Sequence, residues 1–282
     1  MIRQHAPQDG HAVPRTRTRR GYARPLPRLN QESTGAEAGA YVPPGPRERL
    51  LRSTREQGAL ATVRAALSWG GRFLAGPAIA KRVRGSSRFE LGGSNFTYLD
   101  SWHNWTWLNE RAVEVPIAQA ALAAAGPSRS IEVGAVLPHY GSDSHRIVDK
   151  YEAGPGIEQL DILDLPAEPS YDLVLCVSTL EHVGWDEPSR DPELALRACE
   201  HLKQLVASGG QLLVTVPVGY HPRLDAAIRG GELEFDEVRA LRCSYPSMVW
   251  REVAPASVDD AEYDELIYRA EAVLICRWTN SG

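Results

Sequence analysis

The sequence predicts an α/β fold: a doubly wound, mostly parallel sheet of seven strands with antiparallel C-terminal edge strands, preceded by a basic, partly disordered N-terminal segment. Three observations lead there. After Pro127, short aliphatic or β-branched runs alternate with helical stretches, the signature of a parallel sheet covered on both faces. A helix expected at 192–207 stops at Ser208-Gly209-Gly210 before the run Gln211–Val216, which reads as a helix-to-strand turn. Two last runs, 247–253 and 271–278, have no convincing crossover helix between them, so they predict an antiparallel pair at the sheet edge.

In chain order, residues 1–46 mix Pro, Gly and Arg with few apolar side chains, a composition that predicts a disordered arm. From 47 to 82, Leu50, Leu51, Leu60, Val63, Leu67, Phe73 and Leu74 recur at near-helical spacing, interrupted at Gly70-Gly71 and Gly76-Pro77. Two short amphipathic helices are expected, and with the aromatic patch that follows they make residues 47–104 a lid or substrate-shaping segment. A helix is expected over 105–125, capped by Asn104 or Thr106, kinked at Pro116 and stopped by Gly126-Pro127. Strands are expected at 130–133, 146–148, 157–160, 173–177 and 211–216.

Bulk properties exclude several classes. At 282 residues the chain supports one large core, and no apolar run approaches the roughly 20 residues of a membrane span. Cys176, Cys199, Cys243 and Cys276 form no CxxC pair, so no zinc site, other metal site or disulfide framework is expected. A cytoplasmic setting follows. The net charge of −5 hides two opposite parts: residues 1–88 hold 17 Lys+Arg against 5 Asp+Glu, and the remainder 14 against 31. The basic part reads either as a contact for nucleic acid, an acidic partner or a membrane surface, or as a solvated tail on its own acidic domain.

Chemistry is sought where the strands exit, because doubly wound sheets bind ligands there. The first strand runs Ile131-Glu132-Val133-Gly134-Ala135, and Gly134 lets backbone approach a ligand with no Cβ in the way. The second ends at Asp149, suited to accept from both hydroxyls of a ribose. The third exits at Asp161-Ile162, where the acid suits an adenine amino group and Ile162 its ring. The fourth leads into Ser178-Thr179-Leu180-Glu181-His182. Strand-end aspartates also serve as helix caps.

This ordered set resembles a class I S-adenosylmethionine-dependent methyltransferase of a bacterial small-molecule type, over roughly residues 105–282. The resemblance implies S-adenosyl-L-methionine as cofactor, with Glu132 holding the methionine amino end directly or through the loop. It further implies that Gly134 and Ala135 border the cofactor, Asp149 binds ribose, Asp161 and Ile162 the adenine, and Ser178 the methionine side. Val136 and Pro138 stand where such proteins often carry further glycines. A dinucleotide-binding enzyme would need a G-x-G-x-x-G turn, which is absent.

For an oxygen acceptor, expected ahead of nitrogen, a histidine base is sought: His182 first, His221 second, His139 third. Tyr98, Trp102, His103 and Tyr220 are expected to shape a pocket for a small-molecule acceptor such as a sugar or specialised metabolite; alternatively the rings pack the sheet's flank. An RNA or protein methyltransferase recruiting through the basic arm, and a non-catalytic binding protein of this fold, are the competing readings.

Overall fold

In the computed structural model, which describes residues 45–187, 189–264 and 266–282, the chain begins with two helices. They are α1 (Pro46–Gln57) and α2 (Ala59–Arg84), separated at Gly58. α2 passes through Gly70-Gly71 unbroken and breaks at Gly76, whose φ of 72° and ψ of 178° precede Pro77. The basic arm, residues 1–46, lies outside the described residues except for its last two positions. Arg84 closes α2 with a buried ion pair to Asp100.

A hairpin of β1 (Arg88–Leu91) and β2 (Ser94–Thr97) precedes α3 (Arg111–Ala125). This helix starts six residues later than expected, because Asn104 and Trp105 adopt positive φ within the tight turn His103–Leu108. Pro116 causes no break there. It lacks the N–H that would reach the Ala112 carbonyl, and Leu99 N donates to that carbonyl instead at 3.0 Å.

The sheet then assembles from β3 (Ser130–Val133), β4 (Arg146–Asp149), β5 (Ile157–Gln159) and β6 (Tyr171–Val177). After α4 (Leu194–Gln204) come β7 (Val206–Pro217), α5 (Pro222–Arg229), β8 (Glu237–Ser244) and β9 (Val249–Val253). The two-residue strands β10 (Tyr263–Asp264) and β11 (Arg269–Ala270) make a small hairpin before β12 (Ala272–Thr279). The order across the sheet is β5-β4-β3-β6-β7-β12-β8-β9. Every pair from β5 to β7 is parallel, and those from β7 through β12 and β8 to β9 are antiparallel.

The α/β class is as expected, with eight strands in place of seven. The additional one, β8, sits between the two C-terminal strands that the sequence pairs with each other. The Ser208-Gly210 segment is a second correction: it lies inside β7 as an irregularity, the register with β6 shifting between Tyr171 and Leu173. Gly210 is held by a close approach, since a Cβ there would lie 2.8 Å from the Tyr171 carbonyl oxygen.

Side chains of β6 from Leu173 to Val177 are all buried, as a strand covered on both faces requires. On one face Leu196, Leu202, Leu224 and Ile228 of α4 and α5 pack against the sheet. On the other, Val113 and Ile117 of α3 join Phe89 and Leu91 of β1. Three of the four cysteines are buried and all four are free.

Candidate functional site

Between β3 and β6 the chain departs in opposite directions, toward β4 and β5 on one side and β7 on the other. Ligands of doubly wound sheets sit beyond the carboxyl ends of such a strand pair. Gly134 and Thr179 meet there. Gly134 has a φ of +90°, and a Cβ on it would lie 2.0 Å from Thr179 Oγ1. The missing side chain at 134 thus lets the loop after β6 approach the loop after β3 closely.

Glu132 is fully buried, and it acts on the loop. Its Oε1 accepts from Val136 N at 3.0 Å and Leu137 N at 2.8 Å, while Oε2 accepts from buried His145 Nε2 at 2.8 Å. Asp149 Oδ2 accepts from Ala135 N at 2.9 Å, and its Oδ1 takes Tyr151 N and Glu152 N. Three successive amides, Ala135 to Leu137, are thus consumed by two of the chain's own carboxylates. A carboxylate offers about four acceptor positions, so Asp149 keeps one on Oδ2.

Asp161 Oδ1 caps the turn that follows by accepting from Leu163 N at 3.0 Å, and Oδ2 pairs with Lys150 Nζ at 2.8 Å. Lys150 also reaches Glu187 at 2.7 Å. Although it is partly desolvated, the Asp161 carboxyl is held below its usual range by Lys150 and the Leu163 amide. Ile162, next to Asp161, is buried in the core cluster beside α4.

A group that sequence reasoning passed over lies beneath Ser178. Arg111 and Glu114, from the first turn of α3, reach under the β6 exit: Arg111 donates to Glu114 and to the Val177 and Ser178 carbonyls. Glu114 Oε1 accepts from Ser178 Oγ at 2.6 Å and Thr215 Oγ1 at 2.8 Å. Ser178, at a φ of 39°, therefore turns its hydroxyl inward to Glu114. Burial pushes the Glu181 carboxyl up to about 8, and among the described residues its Oε2 has no partner. Burial, aided by the Glu114 charge, pushes Glu110 up to about 7. The sequence signal for this group was three charges, Glu110, Arg111 and Glu114, opening a helix whose remaining residues are apolar except Gln119.

His182 stands at the rim, half exposed. Its Nδ1 donates to Asp186 Oδ2 at 2.5 Å, and Tyr220 Oη donates to the same oxygen at 2.6 Å. Desolvation lowers its pKa, but the hydrogen bond to Asp186 and the charges of Glu181 and Asp186 outweigh that, leaving it raised. The rings of His182, Tyr220 and Tyr263 continue edge to face at 4.7 and 4.8 Å.

Other expected residues fall elsewhere. His221 is completely buried and caps α5, its Nδ1 accepting from Leu224 N. His139 pairs with Glu152 and stacks on His103 at 4.6 Å, closing the turn His103–Leu108 onto the first loop. Tyr98 is buried on the sheet's flank, where its hydroxyl accepts from Trp250 N on β9 at 2.9 Å. Trp102 packs on Trp107 and Phe73 at the α2 break.

An apolar cavity of about 520 Å³ lies between α2, the turn His103–Leu108 and the β10–β11 hairpin, lined by Trp69, Trp105, Leu108, Leu266, Ile267 and Tyr268. Arg49, Asn104 and Asn109 supply its polar margin. Among the described residues no cluster of three or more His, Cys, Asp or Glu is placed to hold a metal ion.

No protein-family model and no curated protein matches the chain. Among solved structures it is similar to the N-methyltransferase NodS of Bradyrhizobium japonicum, at 16% identity over 65% of this chain and 100% of that one, with a TM-score of 0.40. It is also similar to a 1,6-didemethyltoxoflavin N1-methyltransferase of Burkholderia thailandensis, at 13% identity over 69% and 100%, TM-score 0.34. A third is a 16S rRNA adenine methyltransferase of Catenulisporales acidiphilia, at 11% identity over 58% and 90%, TM-score 0.33. At these scores the likenesses do not decide the function, which rests on the rim.

Proposed function

We propose that the chain is an S-adenosylmethionine-dependent methyltransferase acting on a small-molecule acceptor, oxygen ahead of nitrogen, such as a sugar or specialised metabolite. One observation carries the reading: the rim at the β3–β6 switch point is built of carboxylates that have already taken up the loop amides. A phosphate-bearing dinucleotide needs those amides free. A phosphate-free nucleoside carrying a positive sulfonium suits an acidic rim, and Asp149 retains an acceptor position for a ribose hydroxyl. Asp161 would border the adenine, while Arg111, close under the Ser178 carbonyl, offers a cation for the methionine carboxylate.

The bound cofactor supplies an electrophilic methyl group. The protein's part is alignment of an acceptor and removal of its proton. With Nδ1 committed to Asp186, His182 presents Nε2 as the basic atom. The Trp69–Tyr268 cavity, bordered by the hairpin that carries Tyr263, receives the body of the acceptor, and residues 47–104 act as its lid over the 105–282 catalytic domain. The setting proposed is the cytoplasm, where free thiols stay reduced.

Calorimetry with S-adenosylmethionine and S-adenosylhomocysteine tests the reading. The full chain binds both, and Asp149→Ala, folded by circular dichroism, binds at least about tenfold more weakly, the loss expected for a charge-assisted hydrogen bond. Failure of the unaltered chain to bind either compound ends the proposal. Binding with no methyl transfer to any fraction of a metabolite extract leaves a binding protein instead.

A further inference from the structure

α2 has two apolar faces, and only one is covered. Trp69 and Phe73 turn inward against Trp105, at 5.6 and 5.3 Å between rings, and Thr62 is buried beside Ser53 of α1. Leu60, Val63, Leu67 and Leu74 follow one another at steps of three, four and seven, which places them on a single opposite face. Leu60, Leu67 and Leu74 are 84, 71 and 85% exposed. Beyond the Gly76 break, Ile79 and Val83 are also more than half exposed. Such a stripe on a water-facing helix marks an interaction surface.

Charge selects its partner. Residues 45–84 carry nine Arg or Lys against two Glu. Arg47, Arg55, Arg64, Lys81 and Arg82 are exposed along the same two helices. Two copies of this face would repel each other, and residues 1–44, with seven Arg against three acids, offer it no net opposite charge. A nucleic acid would use the arginines and leave the leucines in water. A surface that is anionic outside and apolar just beneath satisfies both sets at once.

We propose that α1 and α2 seat the protein on an anionic lipid surface, the leucine stripe entering the acyl boundary and the basic side chains meeting the headgroups. No helix among the described residues is long and apolar enough to cross a membrane, so the contact is peripheral. This inference stands independently of the methyl-transfer reading, because neither the stripe nor its charges belong to the rim.

Flotation of the full chain tests it, with vesicles of phosphatidylcholine alone and vesicles of phosphatidylcholine with phosphatidylglycerol. The chain floats with the anionic vesicles, at least about tenfold more strongly than with the neutral ones, and added salt weakens the association. The triple variant Leu60→Ser, Leu67→Ser, Leu74→Ser loses at least about tenfold in vesicle binding while its melting temperature stays unchanged. Arg64→Gln with Lys81→Gln and Arg82→Gln lowers the salt-sensitive part. The proposal is overturned if the chain ignores both vesicle types, or if the triple serine variant binds as well as the parent. It is equally overturned if the parent is a dimer in solution that the serine variant converts to a monomer, since the stripe then belongs to a second copy.

Discussion

At His182 the disposition of one proton governs what the side chain can do. Asp186 accepts the Nδ1 hydrogen bond and leaves Nε2, 3.7 Å from Glu181 Oε1, as the atom that would act as base in the proposed reaction. In the proposed reaction Asp186 would then be a positioning residue, and its removal is expected to have two consequences of different kind. His182→Ala lowers kcat by about 10²–10⁴-fold, the usual contribution of a positioned base. Asp186→Asn lowers kcat less and also moves the acidic limb of the kcat–pH profile to lower pH, because it removes the influence that raises the His182 pKa. A purely structural Asp186 would lower the amplitude and leave the limb in place. An unaltered rate in His182→Ala would remove the histidine from the chemistry.

Among the elements, the loop after β3 shows how local geometry was and was not readable. The glycine at 134 was legible as a position intolerant of a side chain, but its neighbour was not: only the fold brings Thr179 to 2.0 Å from a Cβ placed there. Gly134→Ala accordingly faces two costs, the positive φ at about 1–2 kcal/mol and the collision with Thr179. Urea unfolding of Gly134→Ala and of Gly134→Ala with Thr179→Gly separates them; the second change recovers the part due to collision. Equal stability of the two would show that Thr179 simply rotates away. β6 was readable because its residues Leu173 to Val177 are buried on both faces, which makes them a continuous aliphatic run. β8 was not: Glu237, Arg239 and Arg242 interrupt it, leaving only Ala240 and Leu241 fully buried. Glu132 within the first strand and Asp149 and Asp161 at strand exits were visible in the sequence, with Glu132's role supplied by the resemblance, whereas the hydrogen bonds that already occupy them required tertiary structure. Glu110, Arg111 and Glu114 were missed because charges three or four apart on a helix ordinarily face water, and here that face lies beneath the β6 exit.

For the molecule as a whole, concentrating acids inside the rim makes stability depend on pH in a direction that can be worked out. Burial pushes Glu181 up to about 8 and Glu110 up to about 7, and Asp225 at the foot of α5 up to about 6. The unfolded chain releases these protons near pH 4. Between the two ranges the native state binds more protons, so stability falls as pH rises. Below pH 6.5 this is opposed by His103 and His221, whose pKa values desolvation lowers and whose neutral native forms gain stability as pH climbs toward the unfolded histidine value. Above 6.5 that opposition ends, and Glu181 dominates until about pH 8. His182 acts in the same direction: with its native pKa raised, its favourable pairing with Asp186 is lost as pH passes through that value. The fall attributable to Glu181 over this window is about 2 kcal/mol. Glu181→Gln, neutral at every pH, should therefore unfold at nearly the same urea concentration as the parent at pH 6 and at a higher one at pH 8.5. If the parent loses no stability between those two values, or if Glu181→Gln loses as much, the buried acid is not the source of the dependence. Binding of a cationic sulfonium compound would favour ionised Glu181 and reduce the parent's loss, while the uncharged thioether would leave it intact, so repeating the titration with each ligand ties the stability of the fold to the charge that its rim is proposed to hold.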